Sequence, residues 1–235
     1  MTNEKSVQIE KLSVAINKHK IINELDLDLQ PQTITCILAP NGMGKTTLFR
    51  AISNTIPIQS GKIKVNSFDS KERQNFNKNI FFIEKHEQLF QNFTATENMK
   101  MITKLWGKDC QISQISERVG ISDYQNKKIN KMSLGMKQKV LLATSIASGA
   151  DVLIYDEILN GLDIQNVAHV SQVLIEMKQQ GKTILLSSHN IFEIRKICDT
   201  IYFLINGKLM KAPLDYEELI YAYQQCYYKG ADLNA

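Results

Sequence analysis

The segment Ala39-Pro40-Asn41-Gly42-Met43-Gly44-Lys45-Thr46-Thr47 has the residue types and spacing to hold phosphate. It follows an apolar, β-branched run and precedes the helical Leu48-Phe49-Arg50-Ala51-Ile52, which is the strand, loop and helix context such a loop requires. Glycines at 42 and 44 let backbone N–H groups curl around phosphate oxygens, and the helix N-terminus adds positive potential. Lys45 reaches the β and γ phosphates, and the Thr46 hydroxyl is suited to Mg2+. The usual pattern opens with Gly; Ala39 stands there instead, adding a methyl group where the strand leaves the sheet.

Further along, the apolar run Val152-Leu153-Ile154-Tyr155 ends in Asp156-Glu157. An acid at the C-terminal end of a buried parallel strand lies where ligands bind in open α/β sheets. Asp156 is suited to hold Mg2+ through water and Glu157 to polarise an attacking water. Ser133 and Gly135 open the helix before this strand and form a second anion-binding helix start. Ser187-Ser188-His189 closes the next strand and brings an imidazole to the same sheet edge.

The elements that must position these groups are legible as short apolar runs at residues 7–12, 25–29, 33–39, 62–65, 80–83, 152–155, 183–187 and 201–205. Their alternation with helical segments predicts a largely parallel sheet covered by helices. The first two runs and the one near Lys62 alternate apolar and polar residues, as half-exposed antiparallel edge strands do. No strand pattern occurs between Phe93 and Ser148; helices over 94–105, 112–119 and 135–147 read as an inserted helical lobe. Helix stops fall at Gly107, Gly149 and Gly181, and Asn206-Gly207 marks a turn between two short strands. A terminal helix over 214–228, with Asp215 as N-cap, carries five tyrosines: Tyr216, Tyr221, Tyr223, Tyr227 and Tyr228.

Composition narrows the class without naming a function. The 235 residues include 28 basic and 24 acidic ones, a net charge of +4 that argues little for nucleic acid. Apolar runs fall far short of the roughly 20 residues that span a bilayer, and the N-terminus has no secretory h-region, so the expected compartment is the cytoplasm. Cys36, Cys110, Cys198 and Cys226 have neither disulfide nor zinc spacing and are expected to be reduced thiols.

Taken in order, these segments resemble the ATP-binding subunit of an ATP-binding cassette (ABC) transporter, across roughly residues 5 to 211. Ala39 to Thr47 is similar to the Walker A loop, Met132-Ser133-Leu134-Gly135-Met136 to the family signature, and 152–157 to Walker B. Asn160-Gly161-Leu162-Asp163 resembles the D-loop, and His189 matches the switch histidine. The resemblance implies an α/β fold: a P-loop NTPase core with a mixed sheet over about 1–85 and 150–212, an antiparallel β edge subdomain, an α-helical subdomain over about 86–149, and a C-terminal helix over about 214–229, all one domain. It implies ATP and Mg2+ as ligands and a second ATPase subunit bound head to tail. Ser133 and Gly135 then serve ATP held by the other subunit, Glu157 acts on water, His189 contacts the γ phosphate and Asp163 couples the two sites. It also implies a separate membrane permease that docks a short helix beside residues 84–93 and holds the chain at the inner face of the cell membrane, with no nucleic acid partner. The Gly135-Met136-Lys137-Gln138 and Asn160-Gly161-Leu162-Asp163 variants resemble exporters of peptides and other amphipathic molecules.

Three positions depart from the family pattern. Ile16 stands where an aromatic residue usually stacks on adenine, with His19 as a substitute. The Mg2+-touching Gln before the helical lobe is replaced: a gapless count gives Lys85, strand chemistry favours Glu84, and Gln88 is a further candidate. The Pro after the general base is Ile158. The alternatives are a soluble cassette ATPase acting on DNA or ribosomes, and a regulatory cassette that binds ATP without turning it over.

Overall fold

The computed structural model describes residues 5–84 and 86–228. The chain opens with the antiparallel pair β1 (Val7–Ile16) and β2 (His19–Leu29), then passes through β3 (Ile34–Leu38) into α1 (Lys45–Ile52). Next come β4 (Ser60–Val65), β5 (Phe68–Asp69), α2 (Arg73–Asn79) and β6 (Ile80–Ile83). The helices α3 (Ala95–Trp106), α4 (Ile112–Val119) and α5 (Leu134–Ser148) follow before β7 (Val152–Asp156). The remainder is α6 (Ile164–Gln179), β8 (Thr183–Ser188), α7 (Ile191–Ile194), β9 (Thr200–Ile205), β10 (Lys208–Lys211) and α8 (Tyr216–Tyr227).

Two sheets form. A four-stranded antiparallel sheet has the order β2-β1-β4-β5, and a six-stranded sheet has the order β10-β9-β3-β8-β7-β6. The latter is parallel except at the β9–β10 hairpin. Period-two alternation divides its buried side chains between two cores. Ile34, Cys36, Leu38, Leu153, Tyr155, Ile184 and Leu186 pack toward the helices α3 to α6 and α8. Ile37, Val152, Ile154, Leu185 and Leu204 pack with Leu48 and Phe49 of α1 and with the antiparallel sheet. Each fully buried Leu, Ile or Phe contributes about 1.5–3 kcal/mol of transfer free energy, so both faces are strongly held.

The wrap of helices over a parallel sheet, the antiparallel flank and the helical run after Phe93 follow the sequence pattern. Element ends differ. The strands expected at 7–12 and 25–29 run on to Ile16 and back to His19, because the β1–β2 pairing continues past its bulges through Val14↔Ile22 to Ile16↔His19. A period-two pattern broken by a bulge does not show that continuation. Helices α2 and α7 also escape the pattern, since each is short and buries one side chain, Phe76 and Ile194 respectively. Capping is legible: Thr94 and Glu97 form a capping box on α3, and Asp215 accepts from the N–H groups of Glu217 and Glu218 on α8.

The two sheets meet at a point that matters for the phosphate-binding loop. At the β9–β10 turn Gly207 has φ +75° and accepts a hydrogen bond from the Asn23 N–H at 3.0 Å. A Cβ there would lie 2.6 Å from the Ile21 carbonyl oxygen and 3.0 Å from the Asn23 nitrogen, both backbone atoms of β2. Gly207→Ala therefore has to move β2 as well as adopt a left-handed conformation, and is expected to cost about 2 kcal/mol or more in urea unfolding. A variant as stable as wild type would show that the two sheets do not depend on this approach.

Candidate functional site

Parallel strands end together, and three of them carry the site. In register, Leu38 at the end of β3 lies beside Ser188 of β8, and Asp156 of β7 lies beside Ser187. The loop from Ala39 to Lys45, the Asp156-Glu157 pair and His189 thus leave the sheet at one edge.

A cleft of about 680 Å3 opens over that edge, lined by Asn41, Gly42, Gly44, Lys45, Thr46, Thr47, Asp156 and Glu157, with Glu84, Glu87, Ile21, Leu134, Gln138, Asn160 and Gly161 on its other walls. Its size suits a nucleotide. Lys45 is 5% exposed, and its ammonium donates to the carbonyl oxygens of Ala39 (2.8 Å) and Pro40 (3.2 Å) and to Asn41 Oδ1 (3.4 Å). Glu157 Oε1 lies 3.4 Å away. A phosphate entering the loop substitutes for these oxygens around a cation already desolvated.

Asp156 is held on both sides. The Thr46 hydroxyl donates to its Oδ2 and the Ser187 hydroxyl to its Oδ1. A Thr hydroxyl beside a carboxylate is the hard oxygen donor set that Mg2+ prefers, so the residues fit that ion. When bound, Mg2+ supplies neutralisation of charge on the phosphate oxygens.

Glu157 sits at φ +58°, an uncommon left-handed conformation for a non-glycine residue, with its N–H donating to Ser187 Oγ at 3.0 Å. The turn is anchored by Ile158, 2% exposed, at the position where the family usually has Pro. One carboxylate oxygen faces Lys45 and His189 Nδ1 (3.3 Å); the other accepts from Asn160 Nδ2 at 2.6 Å. His189 is exposed and touches the site through Glu157.

The structure brings together Ala39 to Thr47, Asp156, Glu157 and His189, and separates the other expected residues. Ile16 does not line the cleft: it pairs with His19 at the hairpin tip and is 44% exposed. The apolar wall is Ile21, whose Cγ2 would stand 2.8 Å from a Cβ at Gly44. Glu84 lines the cleft, but Arg50 holds its carboxylate with two hydrogen bonds, the Nε–Oε2 one at 2.7 Å. That pairing raises the Arg50 pKa further above its ordinary value. Glu84 is thus committed to Arg50 and is not offered to a metal alongside Asp156. Gln88 Oε1 accepts from the Glu84 N–H and lines a neighbouring cleft, while Lys85 lies outside the described residues.

Ser133 caps α5 by accepting from the Met136 N–H at 3.3 Å, and neither it nor Gly135 lines the cleft. Asp163 caps α6, where the Asn166 N–H lowers its pKa below the usual carboxylate range. From the sequence, Asn160, Ser187 and Arg50 stand only as members of motifs with no role of their own, and Ile21 is not named. Two had a signal: Arg50 lies one helical turn beyond Thr46 on the same face of α1, and Asn160 lies three residues past Glu157 in a turn.

Against known proteins, a family model described as ABC transporter matches residues 22–160. The chain is 30% identical to the uncharacterised ABC transporter ATP-binding protein YybJ of Bacillus subtilis, over 86% of this chain and 94% of that protein. It is 29% identical to the lantibiotic transport ATP-binding protein SrtF of Streptococcus pyogenes, covering 87% and 89% of the two chains. A solved ATP-binding subunit of an ABC transporter superposes with a TM-score of 0.83 at 20% identity over 92% of this chain and 93% of its own.

If the Asn160 amide orients the Glu157 carboxylate, Asn160→Ala lowers the rate of phosphate release at saturating ATP by about three- to tenfold while ATP affinity holds. Glu157→Gln, measured in parallel, abolishes most release. A phosphate-release assay with wild-type turnover in Asn160→Ala would remove Asn160 from the site; wild-type turnover in Glu157→Gln would remove Glu157.

Proposed function

The chain belongs to the ABC transporter family as an ATP-hydrolysing ATP-binding subunit, and on that premise we propose that it drives export of a peptide or other amphipathic cargo through a separate membrane subunit. The observation that carries the membrane-subunit reading is a second, apolar cleft of about 330 Å3 beside the first. Phe81, Phe82, Leu89, Phe90, Ile102 and Trp106 line it. Phe90 and Phe93 stack at 5.4 Å and are 45% and 39% exposed, an apolar rim suited to one face of a helix. The two clefts share a wall: Glu84 and Glu87 line the nucleotide cleft, while Gln88, Leu89 and Phe90 line the apolar one. A helix pressed against this short segment bears on Glu84, and through Arg50 on α1, which begins at Lys45. No helix among the described residues is long and apolar enough to cross a membrane, consistent with a pore supplied by another chain.

Within the ATPase, Lys45 binds phosphate, Thr46 and Asp156 hold Mg2+, Glu157 orients water, and His189 sits within reach of the Glu157 carboxylate. Ser133 and Gly135, placed off this chain's cleft, serve the nucleotide of a second subunit docked head to tail. The cargo class is supported by the lantibiotic transport named for SrtF and by the signature variant in Gly135-Met136-Lys137-Gln138.

Phe90→Glu tests the docking surface, since it charges the rim without touching the phosphate-binding loop. In the native host it is expected to cut recovery of the chain with washed membranes at least about tenfold, as loss of a buried aromatic anchor does, with ATP binding intact. Equal recovery of variant and wild type would refute docking at this cleft.

A further inference from the structure

The tyrosine-bearing helix α8 finds a use in the geometry of the strand that launches the phosphate-binding loop. Tyr227, at its last turn, points its hydroxyl at two carbonyl oxygens, Leu38 O at 3.2 Å and Leu204 O at 3.0 Å. Leu38 is the final residue of β3, and Leu204 lies on the adjacent strand β9, where Phe203 pairs with Leu38. One phenolic proton is therefore shared between the ends of two parallel strands.

The peptide group between Leu38 and Ala39 is planar, so its C=O and N–H turn together. Its oxygen accepts from Tyr227, and its N–H donates to Ser188 O at 3.4 Å. The next carbonyl, Ala39 O, accepts from the Lys45 ammonium at 2.8 Å. Consecutive peptide groups at the loop entrance are thus gripped by the C-terminal helix and then by the phosphate-binding lysine. We propose that Tyr227 is a positioning residue for nucleotide binding: its hydroxyl fixes the peptide group that opens the loop and so sets the affinity for ATP. The inference rests on the reading of the cleft as the nucleotide site.

The ring is well placed to hold that hydroxyl still. It packs edge-on to Phe203 with centroids 5.9 Å apart and lies 4.8 Å from the Tyr223 ring. It also packs against both cores of the fold. Burial pushes its pKa well above the ordinary tyrosine value, so the hydroxyl stays a donor across the working pH range. Tyr223 supplies the internal control, because it shares the aromatic cluster while its hydroxyl makes no bond to the loop entrance.

The experiment is calorimetric titration of the full chain with ATP for wild type, Tyr227→Phe and Tyr223→Phe, with thermal melting without nucleotide as the check on folding. Tyr227→Phe keeps the ring and is expected to raise the Kd for ATP about three- to tenfold, to leave turnover at saturating ATP near wild type, and to speed amide hydrogen exchange over residues 40–45. Tyr223→Phe is expected to bind as wild type. A wild-type Kd in Tyr227→Phe overturns the proposal alone, as does an equal loss in Tyr223→Phe, which would indicate general tail packing. Failure of the wild type itself to bind ATP overturns the nucleotide-site reading together with the proposal.

Discussion

The arrangement of the site turns on one desolvated charge. Taking an ammonium out of water costs several kcal/mol unless its donors are satisfied. The Lys45 ammonium is satisfied by two loop carbonyls, an Asn side chain and a carboxylate. Those oxygens converge only if the loop curls back over its own lysine, so the buried charge and the loop shape enforce one another. The carboxylate must also arrive from β7, and this ties the loop to the order β3-β8-β7 in the sheet. Ser187 completes the link from β8 by holding Asp156 with its hydroxyl and receiving the Glu157 N–H. The left-handed backbone at Glu157 is sustained by that bond and by the buried Ile158 behind it.

The antiparallel sheet contributes by clamping rather than by chemistry. Ile21 on β2 leans against Gly44, and the same stretch of β2 is closely approached by Gly207. The loop is therefore enclosed between the parallel sheet that launches it and a strand that another turn of the same core pins in place. At the opposite wall the segment at Glu84 is shared between a polar cleft and an apolar one. Pressure on the apolar side has a short, ion-paired route to α1.

Much of this was legible in the sequence, and the rest was not for identifiable reasons. The loop, Asp156, Glu157 and His189 sit at strand ends, and strands of four to six consecutive buried residues are readable from their short runs of apolar residues. Residues that act by orienting others carry no such mark. Ser187 looks like one more polar residue closing a strand, and Asn160 like a turn former. Counting along the chain also cannot show where a hairpin turns: with Asn17 and Lys18 at the tip, Ile16 lies outside the cleft and Ile21 on the return strand lines it. Glu84 lines the cleft, but its partner Arg50 is 34 residues away, and the sequence offers no measure of which charge will claim a carboxylate.

Helix geometry also sets which side chains of α5 face this chain's cleft. On α5, Leu134 and Gln138 are one turn apart and face this chain's cleft, and residues one position to either side of Leu134 must point elsewhere. Ser133 and Gly135 occupy those positions. Ser133 and Gly135 therefore stay off the lining of this cleft, while Leu134, the first residue of α5, and Gln138 hold it. Gln138 in turn donates to the Asn160 carbonyl at 3.4 Å, and Asn160 grips Glu157. The side chains of Gln138 and Asn160 thus form a two-step link from α5 to the Glu157 carboxylate.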